Sequence, residues 1–328
     1  MTRTKEVESI DGLDREAITW AYRMILGREP ESAAVVDDYM RAVPDRRTLR
    51  HILIRSPEFL CSVPQCMTLD GGEPVRTVDV DGDPALLGKL FDHVNQSWVH
   101  LGETDPYWSV LSAPEYHGLP SAEGLSRFFA TGAGDVQRML LALSRCGVEL
   151  PSSGVCLEYG CGLGRITRHL AKEFDRVIGV DISRAHLELA KKHAYADSVD
   201  GIEWLHLESL ADVGKLPEVD FIYSVIVLQH NPPPVIKQVV SAFANMLRPG
   251  GIAYFQVPTY RADYEFRLPE YVRDQMGKRE MEMHVLPQET IFELFLDSGC
   301  RPLSVVEDGC TGLRRGERSN TFIFKKRA

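Results

Sequence analysis

Glu158, Gly160, Gly162 and Gly164 stand at alternate positions in the run VCLEYGCGLGRITRHL, residues 155–170. Short apolar residues lead into Glu158, and a helix-like run follows Gly164. A strand that stops at such a loop and turns directly into a helix leaves backbone N–H groups unobstructed by side chains, at the positive end of the helix. A polar or anionic ligand can approach them closely, which is the chemistry of a nucleotide-type cofactor. The dinucleotide fingerprint G-x-G-x-x-G wants its third glycine three residues after the second. That position is Arg165, so the dinucleotide reading fails. A further acid, Asp181, closes the next apolar run, RVIGVDIS, 17 residues after Gly164.

The elements around these residues alternate. Strands are expected from Val155 to the glycine loop and at 176–183, 201–208, 219–228 and 251–257, with helices between them, which predicts βαβ units and a parallel sheet. VDFIYSVIVL (219–228) is apolar throughout, as a strand buried on both faces should be. Ile236, Val239, Val240, Phe243 and Leu247 stripe a helix closed by Pro249-Gly250-Gly251. Two last strands, near 301–307 and 319–326, suit an antiparallel hairpin at one edge. Residues 126–147 read as helix. Upstream, residues 14–26 form a helix capped by Asp14 and stopped by Gly27. Two more helices carry Val36 and Leu49, and Ser56-Pro57-Glu58-Phe59 starts a fourth. The segment 67–84 is rich in Gly, Asp and Pro, a linker composition. From there to 125 no clear period emerges, and the aromatics Trp98, Tyr107, Trp108, Tyr116 and His117 suggest a lid. The expected domains are therefore a small all-helical one at 1–66, a linker and lid at 67–125, and an α/β domain at 126–328.

Composition bounds the function. The 328 residues carry 47 acids and 37 bases, a formal net charge of -10, which argues against a nucleic-acid substrate. Seven cysteines form no C-x-x-C pair, so no zinc site or disulfide framework is expected, and a reducing, cytoplasmic location fits. No apolar run approaches membrane-spanning length, and the N-terminus lacks the apolar core of a signal peptide.

The order Glu158-x-Gly160-x-Gly162-x-Gly164, Asp181 at the next strand tip, the PGG turn and the terminal hairpin together resemble the class I S-adenosylmethionine-dependent methyltransferases, over residues 126–328. The resemblance implies a doubly wound, Rossmann-like sheet of about seven strands and S-adenosyl-L-methionine as cofactor. It places Gly160, Cys161, Gly162 and Gly164 against the amino acid end and ribose of the cofactor, with Glu158 helping to hold the ammonium group. Asp181 would take the ribose hydroxyls, beside Ile182, and Glu208 would lie near the adenine amino group. Gln229 and His230 would border the transferred methyl group. Asn231-Pro232-Pro233-Pro234 lacks the aromatic that nitrogen methyltransferases carry after Asn-Pro-Pro, and it reads as a helix start.

Methyl transfer from a sulfonium depends mainly on positioning and on excluding water, and a hydroxyl acceptor also needs a general base. His230 and His284 are the candidates; a loop or core role is the competing reading for each. His169, His186 and His193 fall on helices and are expected at the surface. The insertion 259–288 lies where the family recognises substrate, so Tyr260 and Arg261, with Trp108 of the lid, are expected to touch the acceptor. No Asp/His cluster points to a metal. Separately, AYRMILGREP (21–30) with RSPEFL (55–60) resembles a small bacterial helical domain often found beside glycan-modifying enzymes. By that association the acceptor is a sugar or glycan precursor and oxygen the atom methylated. The competing readings are methylation of a small natural product, with the helical module making a homodimer, and a cofactor-binding protein without transfer.

Overall fold

The computed structural model describes residues 12–54, 56, 58–59, 73–150, 153–311 and 316–328. The chain divides into two compact units, Met1–Met67 and Thr68–Ala328. The first is helical. Helix α1 (Arg15–Ala21) is capped by Asp14, whose carboxylate accepts the Ala17 N–H, and it continues as a π-helical turn to Leu26. Gly27, at φ +71°, ends it. Helices α2 (Ala33–Ala42) and α3 (Arg46–Ile54) complete a small core of Ile18, Tyr22, Val36, Val43, Leu49 and Leu53. The helix expected after Ser56 lies partly outside the described residues.

The second unit holds a seven-stranded sheet in the order β3-β2-β1-β4-β5-β7-β6. In chain order it comprises α4 (Pro84–Thr104), α5 (Pro106–Val110), α6 (Ala122–Arg145), β1 (Val155–Tyr159), α7 (Thr167–Leu170), β2 (Arg176–Asp181), α8 (Arg184–Ala196), β3 (Ile202–His206), α9 (Leu210–Val213), β4 (Val219–Ser224), α10 (Pro233–Met246), β5 (Leu247–Arg261), α11 (Leu268–Asp274), α12 (Gln288–Asp297), β6 (Cys300–Glu307) and β7 (Glu317–Lys326). Strands β1 to β5 pair in parallel, while β7 runs antiparallel to both β5 and β6. This is the doubly wound sheet with a terminal hairpin that the alternating pattern predicts. Its strand order reverses between β1 and β4, where open α/β sheets bind ligands beyond the carboxyl ends of their strands.

Two expectations change. The stretch 84–104 is not irregular but a helix of 21 residues, started by Asp83 as N-cap and Pro84 at its first position. Leu87, Leu90, Phe91 and Val94 recur at helical spacing and are buried, a period hidden by the aromatic-rich composition around it. Strand β4 stops at Ser224 instead of running to 228, because Ile226 takes a left-handed backbone and the chain turns into a 3-10 segment, Leu228–His230. The segment 73–83 packs along the insertion of the larger unit: Asp79 N–H bonds the Phe266 carbonyl, and the Asp79 carboxylate accepts the Leu268 N–H at 2.8 Å. Among the described residues no helix is long and apolar enough to cross a membrane.

Helix α6 packs its Gly132 directly on the chain that leaves the glycine loop. A Cβ there would lie 2.1 Å from the Arg165 carbonyl oxygen and 2.9 Å from His169 Cδ2. Glycine to alanine inside a helix ordinarily stabilises by up to about 1 kcal/mol. Here the sign reverses. Gly132→Ala is expected to destabilise by about 1–3 kcal/mol through overpacking, read from denaturant unfolding.

Candidate functional site

The glycine loop hangs from β2. The Gly160 and Cys161 N–H groups both donate to the Val180 carbonyl, at 2.8 and 3.0 Å, and the Gly162 N–H donates to Asp181 Oδ2 at 2.8 Å. Asp181 Oδ1 accepts the Ser183 N–H at 2.8 Å, so the carboxylate bridges the loop and the start of α8. Gly160 has φ +76°, and a Cβ on it would meet Val227 Cγ1 at 2.3 Å. Only glycine fits both the backbone and the space.

Above the loop lies a cavity of about 340 Å³. Glu158, at the end of β1, forms part of its wall but is only 4% exposed, and its Oε2 has no hydrogen-bond partner among the described residues. Burial pushes this carboxyl up to about 8; the Thr167 hydroxyl and Arg165 guanidinium pull it down, while Asp181 and Asp135 push it up. Arg165, also in the wall, is held by Asp135 at 2.5 Å and Thr131 at 3.0 Å. A buried carboxylate oxygen without a partner, beside the glycine loop and Asp181, fits a ligand that brings an ammonium group and vicinal hydroxyls.

The rest of the wall is largely apolar. Helix α4 supplies Val94 and Trp98, the segment after α5 supplies Leu111, and Met281 and Met283 come from the insertion before α12. His230 joins them, with its ring centroid 5.1 Å from that of Trp98. Its Nδ1 lies 2.9 Å from the Glu282 carbonyl. Because a carbonyl only accepts, Nδ1 carries the proton and Nε2 keeps its lone pair. Burial lowers the His230 pKa to about 4, against the smaller opposing effect of the Glu282 carbonyl, so the ring is neutral at ordinary pH.

Ile226 is the second unusual wall residue. Its φ of +60° is rare for a β-branched side chain and costs on the order of 1–3 kcal/mol. Its N–H is held by Gln256 Oε1 at 2.8 Å. Gln256 is buried and donates to Gln229 Oε1 at 3.1 Å and Ser319 Oγ at 2.7 Å. Gln229 in turn donates to the Met283 sulfur at 3.3 Å.

Residues 281–284 alternate in direction. Met281 and Met283 enter the cavity, whereas Glu282 and His284 enter a buried polar network. Glu282 Oε2 accepts from His284 Nε2 at 2.7 Å and from the Tyr271 hydroxyl at 2.6 Å, and Oε1 lies 3.2 Å from His93 Nε2. Burial would raise the Glu282 carboxyl, but its His284, Tyr271 and His93 partners hold it down at about 2. The main chain joins the same network, since the His284 N–H donates to the Gln229 carbonyl at 2.7 Å.

The predicted residues divide accordingly. Glu158, Gly160, Cys161, Gly162, Asp181, Ile182, Gln229 and His230 all face the cavity. Six others do not. Gly164 packs under the loop, where a Cβ would meet Trp204 Cη2 at 2.6 Å. Glu208 is exposed and paired with Arg184 at 2.9 Å, and the neighbouring Leu207 takes the wall position. His284 has both ring nitrogens engaged, Nδ1 by the Tyr264 hydroxyl at 2.8 Å, so it has no lone pair for an acceptor. Trp108 stacks on His117 with centroids 4.8 Å apart. Tyr260 donates to the Pro74 carbonyl, and Arg261 pairs with Glu317 at 3.1 Å. His186 is buried rather than at the surface, with Nε2 2.8 Å from Ser109 Oγ in the cavity wall. The two methionines had no sequence signal beyond their place in the insertion; Trp98 had one, as the next turn of the Leu87–Leu90–Phe91–Val94 stripe.

Residues 156–251 match a family model described as a methyltransferase domain. The ubiquinone biosynthesis O-methyltransferase of Nitrosococcus oceani is 28% identical over 177 residues, covering 52% of this chain and 71% of that protein. The protein of the same name from Alkalilimnicola ehrlichii is 33% identical over 100 residues, 30% of this chain and 39% of its own length. Among solved structures, the magnesium protoporphyrin IX methyltransferase of Synechocystis PCC 6803, with bound S-adenosylhomocysteine, aligns over 72% of this chain and 99% of its own at TM-score 0.49 and 17% identity.

Glu158 supplies a test that needs no acceptor. Its folded-state pKa of about 8 lies above the ordinary 4.5, so its contribution to stability is complete below about 4.5 and is lost as pH rises toward 8. Unfolding of the free protein between pH 5 and 8.5 is expected to show that decline, and Glu158→Gln to flatten it. An equal slope in both proteins counts against the buried, unpaired carboxyl. With its glycine loop, bridging aspartate and matching domain, the chain is an S-adenosylmethionine-dependent methyltransferase.

Proposed function

We propose that the protein methylates an oxygen of a small hydroxylated acceptor, with His230 as the general base. The observation that carries this is the His230 ring: neutral, fixed as the Nδ1–H tautomer, and lining the cavity with Nε2 unbonded by any described residue. S-adenosylmethionine supplies an electrophilic methyl group on a sulfonium. The acceptor oxygen would form the new bond to that carbon as the carbon–sulfur bond breaks with its electron pair going to sulfur, and His230 Nε2 would take the acceptor proton. A base of low pKa suffices, because the hydroxyl proton becomes strongly acidic only as the new bond forms. Asp181 would take the ribose hydroxyls and Glu158 would balance the ammonium group, while the largely apolar wall excludes water. The O-methyltransferase names of the relatives support oxygen as the atom methylated.

For the acceptor itself, Trp98, Met281 and Met283 support a small natural product with an apolar body. The sugar or glycan precursor is the second reading. It is favoured by the resemblance of the helical unit, to which we assign docking or homodimer formation.

Calorimetry with S-adenosylhomocysteine is expected to show binding that Asp181→Ala abolishes. A screen with radiolabelled methyl donor over phenols, nucleotide sugars and polysaccharides separates the two acceptor readings; label entering only sugars overturns the apolar one. His230→Asn should retain S-adenosylhomocysteine binding and lose on the order of 10²–10⁴ in rate. In the unaltered enzyme, protonation of His230 should depress the rate only as pH falls toward 4, not between 8 and 6.

A further inference from the structure

Among the described residues only Ser198 and Ile226 are non-glycine residues with positive φ, and only Ile226 is in the cavity wall. Its backbone shape has a clear use. The turn ends β4, presents its N–H to Gln256, and brings Val227 against Gly160, where no Cβ would fit. Glycine would adopt that backbone without strain. The isoleucine side chain therefore contributes nothing to the turn and makes it harder to form. Nor is it core packing: it is 45% exposed, next to a strand whose Phe221, Ile222 and Tyr223 are fully buried. What it adds is a stiff, branched apolar surface in the same cavity as Trp98, Met281, Met283 and His230.

We propose that Ile226 is a specificity-determining residue, a strained wall that narrows the cavity to flat, apolar hydroxylated acceptors and turns bulkier ones away. The inference rests on the acceptor reading above. Strain retained at a wall position matches the pattern in which such outliers persist where the surrounding structure over-determines them. Here Gln256 and Val227 do so from the two sides of the residue.

Ile226→Gly and Ile226→Ala separate the elements of the proposal. Glycine should relieve the strain and leave the melting temperature equal to or above that of the unaltered protein, by up to about 2–4 °C; a glycine variant that melts lower overturns the proposal. With labelled methyl donor, kcat/KM is compared for catechol and for a catechol carrying a tert-butyl group. The unaltered enzyme should discriminate at least about tenfold between them, and removing one branched side chain from an apolar wall should cut that ratio to below about threefold, within the range one or two methylenes can set. Label in both proteins with an unchanged ratio overturns this inference alone. No label with the unaltered enzyme overturns the acceptor reading, and this inference with it.

Discussion

The Asp181 carboxylate is the constraint on which the site depends. One oxygen holds the Gly162 N–H and the other the Ser183 N–H, so a single side chain at the tip of β2 ties the glycine loop to the first turn of α8. Charge-assisted bonds of this kind are roughly twice as strong as neutral ones. The Val180 carbonyl, one residue earlier, takes the Gly160 and Cys161 N–H groups. The loop is thus suspended from the neighbouring strand rather than from its own helix, since α7 is only four residues long. Its amides stay in place without a long helix behind them.

Two carboxylates, Glu158 buried and Glu282 partly so, flank the cavity and behave oppositely. Glu158 has no partner for Oε2 and is pushed up to about 8. Glu282 is surrounded by His93, His284 and Tyr271 and is held at about 2. The physical difference is the number of donors aimed at each, since both are penalised by burial. Glu282 is a finished structural group. Glu158 is left incomplete by the protein, as a group that a cationic ligand completes would be.

The sheet and the loop were legible because their signals are local. Continuous apolar runs, glycines at fixed spacing and an acid at a strand tip each reflect one element's own geometry. Helix α4 was legible in principle, since Leu87, Leu90, Phe91 and Val94 carry its period, but the aromatics beyond it obscured the pattern. The assignment of the side chains beyond the loop was not legible. Tyr260 and Arg261 stand in the insertion where acceptor contacts were expected, yet segment 73–83 and Glu317 draw them away. His230 and His284 could not be told apart by sequence: the difference is whether the second ring nitrogen finds a partner, and Tyr264 provides one only for His284. The end of β4 depends on Ile226, a residue whose type argues against the backbone it adopts.

The alternation at Met281–His284 divides one short segment between two tasks. Even positions carry most of the hydrogen bonds that hold the segment against Gln229 and His230, and odd positions carry the surface the cavity offers. Because the two sets point in opposite directions, the side chain at 281 can vary in size and polarity while the polar network behind it stays intact, whereas Met283 is also tied to Gln229 through its sulfur. The acceptor range of such an enzyme can drift over evolutionary time without disturbing the tautomer of His230.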